Sequence, residues 1–163
     1  CKARWTISAE GPPGMSERPY LLGLIGGNIL KSLGPTLQED ALRAHGLRGH
    51  YHLMDLDVPP RRRLEEVFAA VRTLRFAGVH ITFPVKQAVM PLLDDVSDEA
   101  RQIGAVNTVV FSEDERATGY NTDRIGFRRS LETDFGMNAL KGQTVALVGS
   151  GGAGRLRRSR AGT

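Results

Sequence analysis

The chain has 163 residues, 40% hydrophobic and 25% charged, with a net charge of +4. This is enough for one ordinary domain, or a small domain with a piece of another, and the composition is that of a globular protein. No apolar run approaches the roughly 18 residues that a membrane helix needs, and the first residues hold no apolar segment of a secretory signal.

Residues 1–19 read as a disordered leader, with Gly11, Pro12, Pro13, Gly14 and Pro19 and no periodic apolar pattern. Met15 is a candidate start. Cys1 is the one cysteine, which excludes a disulfide framework and points to a reducing cytoplasm. From Tyr20 the chain alternates strand and helix. Tyr20 to Ile25 is a continuous apolar run ended by Gly26-Gly27, the pattern of a buried strand. A helix is expected from about Pro35 to His45, with Leu37, Ala41 and Leu42 on its apolar face. His50 to Asp55 reads as a second strand, with His50 and His52 on one side as a solvated pair rather than a metal site. Arg62 to Phe76 has Leu64, Val67, Phe68, Val71 and Leu74 at helical spacing, and Gly78 to Thr82 reads as a third strand. Short helices are expected over Pro84–Leu93 and from Ser97, the latter capped by the serine. Asn107–Ser112 and Ala117–Tyr120 read as a hairpin around Glu113-Asp114-Glu115. Thr122 or Asp123 is expected to cap a long helix to about Phe135.

Strands separated by helices predict an α/β fold, a mainly parallel sheet flanked by helices. A boundary is expected between Gly136 and Gly142, dividing a domain at 20–136 from a segment at 137–163. In that segment Thr144 to Val148 reads as a strand opening into Gly149-Ser-Gly-Gly-Ala-Gly154. Gly149, Gly151, Gly152 and Gly154 form a turn whose amides can approach a dinucleotide pyrophosphate, the start of a Rossmann unit. The expected helix does not follow. Arg-Leu-Arg-Arg-Ser-Arg at 155–160 has no apolar face, and a frameshift or truncation is the expected explanation. Those four arginines also carry the net charge. The rest is near neutral, so no basic body for nucleic acid is expected.

Three segments together bring a family into view. Gly78-Val-His-Ile-Thr-Phe-Pro-Val-Lys86 resembles G-x-N-V-T-x-P-x-K of the shikimate dehydrogenases. Ile103-Gly-Ala-Val-Asn-Thr-Val-Val110 resembles their I-G-A-V-N-T-V, and Gly119-Tyr-Asn-Thr-Asp-Arg-Ile-Gly-Phe127 their G-x-N-T-D-x-x-G-F. Gly23 to Pro35 is similar to the first strand and carboxylate loop of the quinate/shikimate branch, and the resemblance extends from about Tyr20 to Gly154.

The resemblance implies interconversion of 3-dehydroshikimate and shikimate, or of quinate, with NADP or in some members NAD as cofactor. Hydride transfer at a ring carbon needs a proton transfer at its oxygen, hence a positioned acid/base group. By resemblance Lys86 and Asp123 take that role, and Asp123 is expected also to cap its helix in the way a lone aspartate there would. Ser32, Thr82 and Asn107 correspond to substrate-binding residues, while Asn121 and Thr122 shape the turn that presents Asp123. The small-molecule acid is the implied partner, with no nucleic acid and no membrane. The chain departs from the family at two places. Gly34 stands where a second hydroxyl is expected, removing a charge-assisted hydrogen bond worth about 1.5–3 kcal/mol to the carboxylate. His80 stands where an asparagine is expected. With most of a cofactor domain missing, the chain alone is expected to show no dehydrogenase activity; a remnant that binds a polyol acid without chemistry is the alternative reading.

Overall fold

The computed structural model describes residues 19–136. Six strands form one sheet in the order β2-β1-β3-β5-β6-β4: β1 (Tyr20–Gly26), β2 (Gly49–Asp55), β3 (Gly78–Ile81), β4 (Asp95–Val96), β5 (Thr108–Phe111) and β6 (Ala117–Tyr120). The β1–β2, β1–β3 and β4–β6 pairings are parallel, and β5 turns the sheet by pairing antiparallel with both β3 and β6. The sequence thus folds as an α/β sheet flanked by helices, as its alternation of elements implies.

Helix α1 (Gly34–Ala44) joins β1 to β2, and α2 (Leu64–Thr73) joins β2 to β3. In a parallel pair, matched residues share a face of the sheet. Gly23 and Ile25 of β1 match Val79 and Ile81 of β3, so these four lie on one face. Leu64, Phe68 and Val71 of α2 are buried with Ile25, Val79 and Ile81 in the main core. The expected α2 face therefore packs, but it ends sooner than its spacing implies: Leu74 is 63% exposed, because Arg75 turns the chain with φ 56°.

Helix α1 departs further from expectation. Leu37 is 67% exposed and Ala41 is exposed too, and the helix buries none of its residues. The reason is the sheet edge. The Tyr51 amide of edge strand β2 donates to Glu39 Oε1 at 3.1 Å, so α1 presents a partly polar side, with Leu42 half-buried, to the edge rather than its leucine stripe.

The segment expected as a helix over Pro84–Leu93 is instead a series of turns ending in a 3-10 helix, Met90–Leu92. Its amides bond three or four residues back without settling into one ladder, and Pro91 brings no N–H to it. The two-residue strand β4 follows, between the two segments expected as short helices. Ser97 caps α3 (Asp98–Ile103), accepting from the Ala100 amide at 3.2 Å, and Gly104 closes it at φ 72°. Helix α4 (Asp123–Phe135) completes the described chain.

Candidate active site

The parallel strands β1 and β3 run side by side and end together, which brings the loop after β1 next to the loop after β3. The two loops are tied by backbone: the Thr82 amide donates to the Ile25 carbonyl at 3.0 Å, and the Gly27 amide to the Phe83 carbonyl at 2.9 Å. Their approach is close enough that a side chain at Gly26 would collide with the Thr82 methyl and the Phe83 carbonyl. The glycine that ends the first apolar run is thus there to let Thr82 in.

The loop carrying Ser32 is held from β2. The Asp55 carboxylate accepts from the amides of Asn28 at 3.0 Å, Ile29 at 2.7 Å and Asp57 at 2.9 Å. The Asp57 amide, opposed by partial desolvation and reinforced by those of Ile29, Asn28 and Leu30, keeps the Asp55 carboxyl below its ordinary range. Ser32 then closes a tight turn, its amide donating to the Ile29 carbonyl at 2.8 Å and its hydroxyl accepting from the Gly34 amide at 3.1 Å. Asp55 went unnoticed in the sequence. An acidic residue at the carboxyl end of a parallel strand, facing a glycine-rich loop, is the signal that marks it.

Lys86 and Asp123 meet. Lys86 Nζ lies 2.6 Å from Asp123 Oδ2, with both side chains about one-third exposed. The other carboxylate oxygen, Oδ1, accepts from Asn107 Nδ2 at 2.6 Å. Asn107 is 8% exposed and uses its whole amide: Nδ2 also donates to Thr122 Oγ1 at 3.0 Å, and Oδ1 accepts from the Thr122 amide at 3.0 Å and the Thr108 hydroxyl at 2.9 Å. The position of Lys86 is fixed by backbone as well, since its carbonyl accepts from the Val106 amide at 2.9 Å.

Asn121 sets the turn before Asp123. It is 4% exposed, donates to the Ala105 carbonyl at 2.9 Å and accepts from the Asp123 amide at 3.1 Å. Neither Thr122 nor Asp123 caps α4 through its side chain. Thr122 occupies the cap position without a capping bond, and Asp123 is the first helical residue with its carboxylate spent on Lys86 and Asn107. Of the two roles expected of Asp123, the capping one is absent.

The structure thus joins Lys86, Asp123 and Asn107 by direct bonds, and sets Thr82 and Ser32 on two adjoining loops at the same end of the sheet. Gly149, Gly151, Gly152 and Gly154, expected to hold the cofactor, lie outside the described residues, as do residues 1–18 of the leader expected at 1–19 and the whole segment expected to start a second domain at 137–163. Among the described residues no group of three or more His, Cys, Asp or Glu side chains is placed to hold a metal ion, and no helix is long and apolar enough to cross a membrane.

Fold and cluster together define an α/β domain whose sheet brings a lysine, a carboxylate and a carboxamide together at one end. The chain belongs to the shikimate dehydrogenase family: the profile described as shikimate dehydrogenase substrate binding domain matches residues 24–109, just over half of the chain. A quinate/shikimate dehydrogenase (NAD(+)) of Corynebacterium efficiens is 46% identical over 142 residues, 86% of this chain and 49% of that protein. A shikimate dehydrogenase (NADP(+)) of a Geobacillus strain is 42% identical over 135 residues, 83% of this chain and 47% of that one. Among solved structures, shikimate 5-dehydrogenase of Thermus thermophilus in complex with NADP(H) and shikimate superposes with a TM-score of 0.68 at 36% identity, covering 84% of this chain and 49% of that one. The chain spans about half the length of the curated relatives it matches.

Proposed function

We propose that this chain is the substrate-binding half of an NAD(P)-dependent shikimate or quinate dehydrogenase, with Lys86 and Asp123 as its acid/base pair. The observation that carries the reading is the cluster Lys86–Asp123–Asn107, in which a solvent-reachable ammonium is held on a carboxylate that is itself held by a buried carboxamide. Relatives bearing both names support it, as does a neighbouring structure whose bound molecules are NADP(H) and shikimate. NADP, or NAD as the alternative, supplies the hydride chemistry at the ring carbon when bound.

In the reducing direction the ketone oxygen gains electron density as hydride arrives. The Lys86 ammonium transfers a proton to that oxygen, leaving a neutral amine that regains its proton from solvent. In the oxidising direction the same nitrogen takes the hydroxyl proton. Asp123 keeps Lys86 aimed and compensates its charge, and Asn107 keeps Asp123 from turning away. Ser32 donates to the substrate carboxylate from the first loop and Thr82 contacts a ring hydroxyl, whereas Asn107, expected beside them, has its whole amide bonded within the chain and acts through Asp123. The proposed setting is the cytoplasm, and the partner a small polyhydroxy acid.

Residues 1–136 joined to the nicotinamide-binding half of the Corynebacterium efficiens relative are expected to oxidise shikimate or quinate with NAD, followed by absorbance of the reduced nicotinamide. A folded fusion that binds cofactor yet oxidises neither acid contradicts the proposal.

A further inference from the structure

Two residues that differ from the family pattern, Gly34 and His80, meet at a third that lies outside the resembling motifs, Tyr51. The sheet register explains how. Leu22 matches Tyr51 across β1–β2, and Leu24 matches His80 across β1–β3, so Tyr51 and His80 stand on the same face with β1 between them. The tyrosine is long enough to cross β1. Its hydroxyl lies 2.8 Å from His80 Nδ1, and the two rings are tilted at 40° with centroids 5.8 Å apart.

Gly34 completes the arrangement. A Cβ there would lie 3.0 Å from Tyr51 Cε1, 3.6 Å from Cζ and 3.1 Å from Ser32 Oγ. The hydroxyl-bearing end of Tyr51 and the Ser32 hydroxyl therefore border one small space, which a side chain at position 34 would otherwise enter. A side chain at 34 would press on the Tyr51 ring and require it to give by a few tenths of an ångström.

We propose that Tyr51 and His80 form one recognition unit for the substrate acid, Tyr51 donating to its carboxylate the hydrogen bond that Gly34 cannot, and His80 accepting from a ring hydroxyl. The inference rests on the shikimate or quinate reading of the site. Tyr51 is 7% exposed, and burial pushes its phenol up to about 12, so it keeps its proton to donate. Burial likewise holds the His80 imidazole below its ordinary value, against an upward pull from the Asp123 carboxylate. His80 is therefore neutral near pH 7, with one donor and one acceptor nitrogen. With the Tyr51 proton turned to the ligand, Nδ1–H of His80 donates to the phenol oxygen, and Nε2 is left as the acceptor for a hydroxyl. The pull from Asp123 also ties His80 electrostatically to the Lys86–Asp123 cluster. A carboxylate with neighbouring hydroxyls satisfies all three positions; a plain carboxylic acid leaves Nε2 without a partner.

The test is calorimetric titration of the full chain with shikimate, for the wild type and for Tyr51→Phe, Gly34→Ala, both together, and Ser32→Ala. Tyr51→Phe keeps the ring and its packing. It is expected to weaken binding about tenfold or more, the loss of one hydrogen bond to a charged group. Gly34→Ala is expected to weaken binding in the wild type by displacing the ring, and to add little once the hydroxyl is gone. Nitrogen NMR of His80 is expected to show the Nδ1–H tautomer when shikimate is bound, and a changed tautomer ratio in Tyr51→Phe. If Ser32→Ala weakens binding and Tyr51→Phe does not, the recognition unit is wrong while the functional reading stands. A bound-state Nε2–H tautomer also overturns it. If the wild type does not bind shikimate at all, the functional reading fails and takes this inference with it.

Discussion

In a fusion that turns over shikimate, Lys86→Ala is expected to lower kcat by about 10²–10⁴-fold, the usual contribution of a positioned general acid. The structure gives the reason. Lys86 Nζ is 2.6 Å from Asp123 Oδ2, its backbone is anchored through Val106, and its side chain is still about 30% exposed. It is a held ammonium with a face left open, which a purely structural ion pair does not require. Lys86→Arg separates charge from proton transfer. A guanidinium keeps the positive charge and can still pair with Asp123, but it does not give up its proton. If proton transfer is the role, Lys86→Arg stays as slow as Lys86→Ala. Recovery of most of the rate by arginine would show that charge alone is needed, and Lys86 would lose its acid/base assignment.

Asn107→Ala is expected to damage both stability and rate. The side chain is 8% exposed and holds four partners: Asp123 Oδ1, the Thr122 hydroxyl and amide, and the Thr108 hydroxyl. Its removal leaves the Thr122 amide without its acceptor, which costs about 1–3 kcal/mol. It also frees Asp123 to rotate, so the lysine loses its fixed aim. Urea unfolding of the chain should show the stability loss at an unchanged denaturant slope, and the fusion should show a fall in kcat larger than any rise in KM. A variant as stable and as fast as the wild type would mean that the Asn107 bonds do not order the site.

What the sequence made legible follows from which forces are local. Apolar periodicity located β1, α2 and the hairpin, because the residues that define them, such as Ile25, Phe68 and Val109, are also those buried in the core. The same rule failed on α1, where Leu37 is exposed: the helix is oriented by a Glu39 bond to an edge-strand amide, and pairing with an edge leaves no mark on apolar spacing. Strand β4 was missed because two residues carry no period, and its partner β6 lies more than twenty positions on. Within the site, the motif resemblance pointed to Lys86, Asp123 and Asn107, whose bonds run over 16 and 37 positions of chain. It did not reach Tyr51 or Asp55. Tyr51 acts across an intervening strand, and Asp55 works through the backbone of a loop 26 or more residues earlier, so neither falls inside a contiguous motif.

A hydroxylated ring acid is expected to bind where the β1 and β3 loops meet the Lys86–Asp123–Asn107 cluster. The most direct test is to titrate the isotope-labelled chain with shikimate and follow backbone and side-chain amide shifts by NMR. Saturable shifts confined to Ser32, Gly34, Thr82, Lys86, Asn107 and Asp123 with their neighbours are the predicted result. Saturable shifts centred on the opposite end of the sheet, around Arg75 and Glu115, or no saturable shifts at all, would contradict it.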